Sequence, residues 1–338
     1  MTLRPVLVLG AFAAALGLVS GCSGSGDDTL TVYSGRTEDL VAPILEDFEK
    51  ESGVDLEVRY GTSAELAVLI DTEGGKGPDV FLSQSPGAMG YLDGKGRLIK
   101  LDDATLDKVG ERFRASDGDW VGLSSRVRVI VYNADKTKEA DVPDSVLDFT
   151  DAKYKGRFGV APTNGSFQDM VTVMRSQQGD EKTLAWLEGI KANGAKTYEN
   201  NVAVREAVAR GEIEFGLINH YYNERAKAED ASTPTENHFL NNQDAGAAIL
   251  ATAVGILDTA NGDRAADAQK LVTFLLSEKA QKYFAEETYE YPLAAGVEPV
   301  SELPDLDALV APDVDLSALG GELEKTRDLI RDSGLESS

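Results

Sequence analysis

Short β-prone runs alternate with stretches of helical periodicity along nearly the whole chain, and that alternation leaves few folds open. Leu30 to Tyr33 reads as a strand, and Glu38 to Lys50 as a helix with Leu40, Val41, Ile44, Leu45 and Phe48 on one face. Val54, Leu56 and Val58 alternate as in a strand, Ala64 to Glu73 is helical, and Asp79 to Leu82 is again a strand. Val127 to Tyr132, Phe215 to Ile218 and Ala247 to Leu257 carry later strands, and Ala265 to Glu286 reads as one long helix burying Leu271, Phe274, Leu275, Tyr283 and Phe284. Strands that alternate with helices predict an α/β architecture with largely parallel sheets. The length suits two domains. No internal repeat is present, and only a Gly/Ser/Asp stretch at 23–28 and the polar end Arg331 to Ser338 are of low complexity.

The turns after the early strands share one chemistry: Ser34-Gly35-Arg36-Thr37, Gly61-Thr62-Ser63, Ser83-Gln84-Ser85-Pro86-Gly87 and Asn164-Gly165-Ser166. Each precedes an expected helix, and Thr62 with Glu65 fits a capping box. Open α/β sheets bind ligands at the carboxyl ends of their strands, where helix N-termini offer free N–H groups. One such turn is ordinary capping; several converging would form a pocket for an anion or an oxygen-rich ligand.

The first residues carry a different message. Arg4 is followed by an apolar run from Val6 to Val19, closed by Ser20, Gly21 and Cys22. This is the layout of a cleaved export signal over residues 1–21, too short to span a bilayer comfortably. Val19-Ser20-Gly21-Cys22 resembles the bacterial lipobox, which implies lipid on Cys22, a flexible tether over 22–29, and a mature chain held on the outer face of a membrane. Cys22 is the only cysteine, so no disulfide explains it. A net charge of −25 argues against nucleic acid and anionic lipid surfaces as partners. Neither a Gly-x-Ser-x-Gly elbow nor a His-Glu-x-x-His helix occurs, and two histidines leave few general bases, so the chain does not read as an enzyme.

The most informative stretch is Asn219-His220-Tyr221-Tyr222, at the carboxyl end of the strand Phe215 to Ile218. From spacing alone the two tyrosines read most plainly as packing aromatics. Together with Thr31-Val32-Tyr33-Ser34-Gly35-Arg36, Pro78-Asp79-Val80-Phe81, Ser125 to Tyr132, Gly211-Glu212-Ile213 and Tyr289-Glu290-Tyr291-Pro292-Leu293, however, the stretch resembles the periplasmic ferric-ion-binding proteins of ABC importers over about Leu30 to Val300.

That resemblance implies a type II periplasmic-binding-protein fold. It has two lobes, each a mixed, largely parallel sheet flanked by helices, joined by a two-stranded hinge. The first lobe would comprise 30–126 plus 253–300, and the second 127–252 plus 301–338. It implies a monomeric receptor that delivers Fe(III) to a permease and ATPase, with Tyr221 and Tyr222 as iron ligands. Phenolate suits that role, because Fe(III) is a hard ion that prefers anionic oxygen. Two positions depart from the family: Thr37 stands where many members place a histidine ligand, and Gln84 where many place a glutamate. The remaining donors would then come from water or from a synergistic anion such as carbonate, as some members bind. Arg36 and Arg126 are the candidate anion partners, because a guanidinium fork suits a planar oxyanion; Arg128 ranks below them. Thr62 and Ser83 join them from the early turns, and Asn164, Gly165, Ser166, Asn201 and Asn219 match positions where relatives hydrogen-bond the anion. His220 is expected beside the site or exposed, Tyr60 is expected to pack, Phe167 lies near where some relatives place a further tyrosine, and His238 carries no evident chemistry. The same fold carries thiamine, polyamines or oxyanions in other relatives; for a polyamine only Glu38 and Asp39 offer obvious carboxylates.

Overall fold

A computed structural model describes residues 29–294, 296–316 and 318–337. The expected signal at 1–21 and the lipid on Cys22 lie outside the described residues. In a first sheet Leu56–Tyr60, Leu30–Ser34 and Val80–Ser83 run parallel, with Tyr33 between Arg59 and Phe81. Ile249–Leu257 adds antiparallel to Val80–Ser83 and pairs in turn with Trp120–Asn133, Ile249 facing Val127 and Gly255 facing Trp120. Tyr291–Pro292 and Leu98–Ile99 complete this sheet.

The strand Trp120–Asn133 is 14 residues long and buried throughout. Beyond Val127 it leaves the first sheet's pairing and runs antiparallel to Phe215–Asn219, with Arg128 facing Asn219. Phe158–Val160 and Lys196–Thr197 extend this second sheet in parallel, and Thr235–His238 lines the long strand. The expected mixed α/β architecture is present, each sheet having a parallel core flanked by helices. The hinge run read as Val127 to Tyr132 is the second half of a longer strand, and its partner spans Ile249–Leu257, with Ala245–Ala247 in a 3-10 turn.

Glu38–Ser52 buries the five side chains its periodicity picks out. The expected long helix from Ala265 to Glu286 is two helices, Gly262–Leu275 and Glu278–Glu286. Ser277 breaks it by capping the second, its hydroxyl accepting the Ala280 N–H; the apolar period continues across the break and hides it. The polar end at Arg331 is also more ordered than it reads. Leu323–Asp332 packs on Gly165–Gln178 through a Thr172–Thr326 hydroxyl pair at 2.7 Å, and Leu335 is fully buried. Just before it, Ala318–Glu322 lies on Pro86–Gly94, where Gly320 comes so close to the Gly90 backbone that no Cβ would fit.

Candidate metal and anion site

The strand Phe215–Asn219 ends at the helix His220–Glu229, so both tyrosines stand in that helix's first turn, at the positive end of its dipole. Tyr221 is fully buried and Tyr222 half-buried, their ring centroids 4.2 Å apart. Gln84 reaches both hydroxyls: its side-chain amide donates to the Tyr221 oxygen at 2.8 Å and to the Tyr222 oxygen at 3.3 Å. Gln84 is held in turn by its backbone N–H, which donates to Ser63 Oγ at 3.0 Å. Any side chain at Gly35 would collide with Ser63, so glycine lets the first turn close on the second. Three of the four polar turns therefore meet beside the tyrosines.

Three guanidinium groups, on Arg36, Arg126 and Arg128, are buried around them. Arg36 binds Glu290 with two parallel bonds of 2.9 and 2.8 Å, donates to Thr252 Oγ1 at 2.8 Å, and lies 5.9 Å from the Tyr221 ring centroid. Burial pulls its pKa down, but the Glu290 carboxylate more than offsets this and the net shift is upward. Arg126 is held more loosely, with its contact to Asp169 at 3.4 Å. Burial outweighs attraction in this second pair: Arg126 is lowered and Asp169 is pushed up to about 6. Arg128 donates to Asn219 Oδ1 at 3.0 Å; burial, then the neighbouring Arg126 charge, brings it down to about 9. Four guanidinium nitrogens, the Nε of all three arginines and Nη2 of Arg128, have no hydrogen-bond partner among the described residues. A buried donor without a partner is costly, so these four nitrogens are unmet donors close to the tyrosine pair.

The candidate residues divide by what their side chains do. Asn219 occupies an N-cap position yet makes no cap bond; its amide donates to Ser166 Oγ at 2.9 Å and its oxygen accepts from Arg128. Asn164 caps the helix Gly165–Gln178 through the Ser166 N–H and also accepts from Asn201, whose own Oδ1 is buried without a partner among the described residues. Gly165 faces Ser85 across the two sheets. Ser83 spends its hydroxyl on the Ser85 carbonyl, and exposed Thr62 spends its own on the Glu65 capping box. Thr37 is exposed, Tyr60 packs half-buried, Phe167 stacks on Trp186, and His238 lies 3.7 Å from Glu139. Asp39 binds Arg225 at 3.0 Å.

Two buried carboxylates were not singled out from sequence. Glu290 sits inside the run Tyr289 to Leu293, where nothing in its neighbours marks it as charged and buried. Asp169 lies on a helix buried on all sides from Ser166 to Arg175, so no polar face reveals it. It accepts from Ser85 Oγ at 2.6 Å, joining the second sheet's helix to a turn of the first. Its raised pKa has a measurable consequence. Folding favours the neutral carboxyl, so its contribution is full below the unfolded value of 3.8 and is lost as the pH rises through about 6. In urea unfolding of metal-free protein, the stability of wild type relative to Asp169→Asn should fall by about 2 kcal/mol between about pH 4 and about pH 7. A difference that stays flat, or rises, would contradict the assignment.

The sequence matches the family described as bacterial extracellular solute-binding protein over residues 76–315. It is 31% identical to the Fe(3+)-binding periplasmic protein of Serratia marcescens, over 99% of this chain and 98% of the relative. The fold superposes on iron-bound HitA from Pseudomonas aeruginosa with a TM-score of 0.86 at 33% identity, covering 91% of this chain and 100% of that one. The Trichodesmium protein IdiA (FutA), solved in complex with iron and citrate, gives 0.75 at 26% identity, over 90% of this chain and 99% of that one. Among the described residues no helix is long and apolar enough to cross a membrane.

Proposed function

This chain belongs to the bacterial extracellular solute-binding proteins, and from that premise we propose that it captures Fe(III) with an oxyanion at Tyr221 and Tyr222 and passes it to the permease and ATPase of an ABC importer. The observation that carries this reading is one amide holding both phenol oxygens together, ringed by buried arginines with N–H groups that lack a partner among the described residues. Charge supports it. Three buried arginines against Glu290 and Asp169, with His220 neutral, leave one net positive charge while the phenols keep their protons. Losing two phenol protons makes the site singly negative, Fe(III) makes it doubly positive, and a dianion such as carbonate restores neutrality. Neither Thr37 nor Gln84 supplies an anionic donor, so the anion also fills coordination positions that the protein leaves open. The same positive balance opposes thiamine and polyamines, which are cations. The four guanidinium nitrogens without a partner among the described residues favour one second reading, an oxyanion bound without metal.

Tyrosinate-to-iron charge transfer gives the test. Protein loaded with Fe(III) should show a visible band with carbonate or citrate present and a much weaker one without either. If no band forms under any of these conditions, the iron reading fails; calorimetric binding of the anion alone would then support the second reading.

Transport on this reading proceeds by closure of the first lobe on the second about Trp120–Asn133 and Ile249–Leu257, with divisions at 30–126 plus 253–300 and 127–252 plus 301–338. The mature chain is a monomer tethered at the membrane's outer face by lipid on Cys22, as the lipobox-like Val19-Ser20-Gly21-Cys22 supports. A tether keeps captured ligand beside its permease at high local concentration.

A further inference from the structure

His220 precedes the tyrosine pair, yet the proposed chemistry gives it no task. It is fully buried, and both ring nitrogens are engaged. Nδ1 accepts the Val127 backbone N–H at 3.1 Å, so that nitrogen carries no proton. Nε2 therefore holds the ring's proton and donates it to the Tyr289 carbonyl at 2.8 Å. Val127 lies where the long strand passes from one sheet to the other, and Tyr289 opens the segment that rejoins the first sheet at Tyr291.

Tyr289 is itself unusual. Its φ of 58° makes it the one non-glycine in the left-handed region among the described residues, a costly conformation for a residue with a Cβ. The backbone there must be held from both sides. His220 binds the Tyr289 carbonyl, and the next residue, Glu290, is locked onto Arg36 by two bonds. Arg36 then lies against the Tyr221 ring, and that ring meets His220 edge-on at 6.0 Å and 89°. The contacts form a closed circuit: His220, Tyr289, Glu290, Arg36, Tyr221.

We infer that His220 is a positioning residue, a neutral rigid bridge that fixes the tyrosine-bearing helix start to the hinge strand and to the strained Tyr289–Glu290 turn. Its effect on metal binding rests on the iron reading above; the bridge itself does not. Asparagine at 220 can accept the Val127 N–H but is too short to reach the Tyr289 carbonyl as well. The bridge should therefore break in His220→Asn, freeing Glu290 and Arg36 to shift against Tyr221.

Two measurements test this. Ring-nitrogen NMR of metal-free wild type should find Nε2 protonated and Nδ1 bare; the opposite tautomer, or a doubly protonated ring at neutral pH, overturns the bridge. With iron bound, His220→Asn should shift the charge-transfer band and speed iron release to excess chelator by about 10- to 100-fold. Tyr289→Gly, which removes the backbone strain, should recover most of that loss in the double variant. Unchanged band and release in His220→Asn, or no rescue by glycine, would show that His220 only fills space. If wild type has no band at all, the iron reading falls while the NMR result still decides the bridge.

Discussion

Replacing Glu290 by alanine is expected to destabilise the metal-free protein by about 3–5 kcal/mol, the largest effect of any single polar substitution in the site. The reason is the charge left behind. Arg36 is 1% exposed and Glu290 is 0% exposed, and their two bonds of 2.8 and 2.9 Å satisfy most of both groups. Glu290 also accepts from Ser124 at 3.2 Å and from Thr288 at 3.0 Å. Removing it strands a guanidinium that is buried away from solvent. Glu290→Gln should cost less, because an amide keeps the shape and one acceptor while losing the charge. Urea unfolding of wild type and both variants at neutral pH checks the order. A cost below about 1 kcal/mol for alanine, as for an exposed pair, would mean that the site is wetter than its burial implies. The contrast with Asp169 sharpens the test. That carboxylate meets Arg126 at 3.4 Å and is itself pushed up to about 6, so its removal should cost less than that of Glu290.

The alternation of strands and helices was legible because each element solves a local problem. Glu38–Ser52 buries one apolar stripe, and the capping box at Thr62 satisfies its own helix start. Where elements answer to distant partners, the sequence is silent. Ser277 looks like any helix residue until the chain must turn to pack both halves of 262–286. Asn219 reads as a cap, but tertiary contact diverts its side chain to Ser166 and Arg128. Arg128 ranks below Arg36 and Arg126 on sequence, yet its neighbours in the second sheet leave it the least satisfied of the three arginines among the described residues. The tyrosine pair was visible only because its order among other motifs resembles a family; its spacing offered nothing more than packing. Glu290 and Asp169 were invisible because a buried charge announces itself through the partner across the fold, and Arg36 lies 254 residues away in sequence.

Proton release should separate metal binding by the tyrosine pair from any weaker surface binding. Burial, then the neighbouring Tyr222, raises the Tyr221 phenol well above its usual range, so Fe(III) must displace the proton itself. An ordinary phenol is also protonated at neutral pH. If both oxygens bind as phenolates, two protons leave for each iron taken up, and log Kd should fall by about two for each unit of rising pH once the competing chelator's own titration is subtracted. Tyr221→Phe or Tyr222→Phe alone should reduce that slope to about one and weaken binding by more than about 100-fold, beyond the usual effect of losing a ligand's hydrogen-bond partner. The double variant should lose both the visible band and the proton-linked slope. Its fold should persist, because phenylalanine preserves the ring contact at 4.2 Å and removes the hydroxyl bonds to Gln84 and between the two tyrosines. Wild-type affinity that does not respond to pH, or a double variant that retains the band, would place the iron elsewhere.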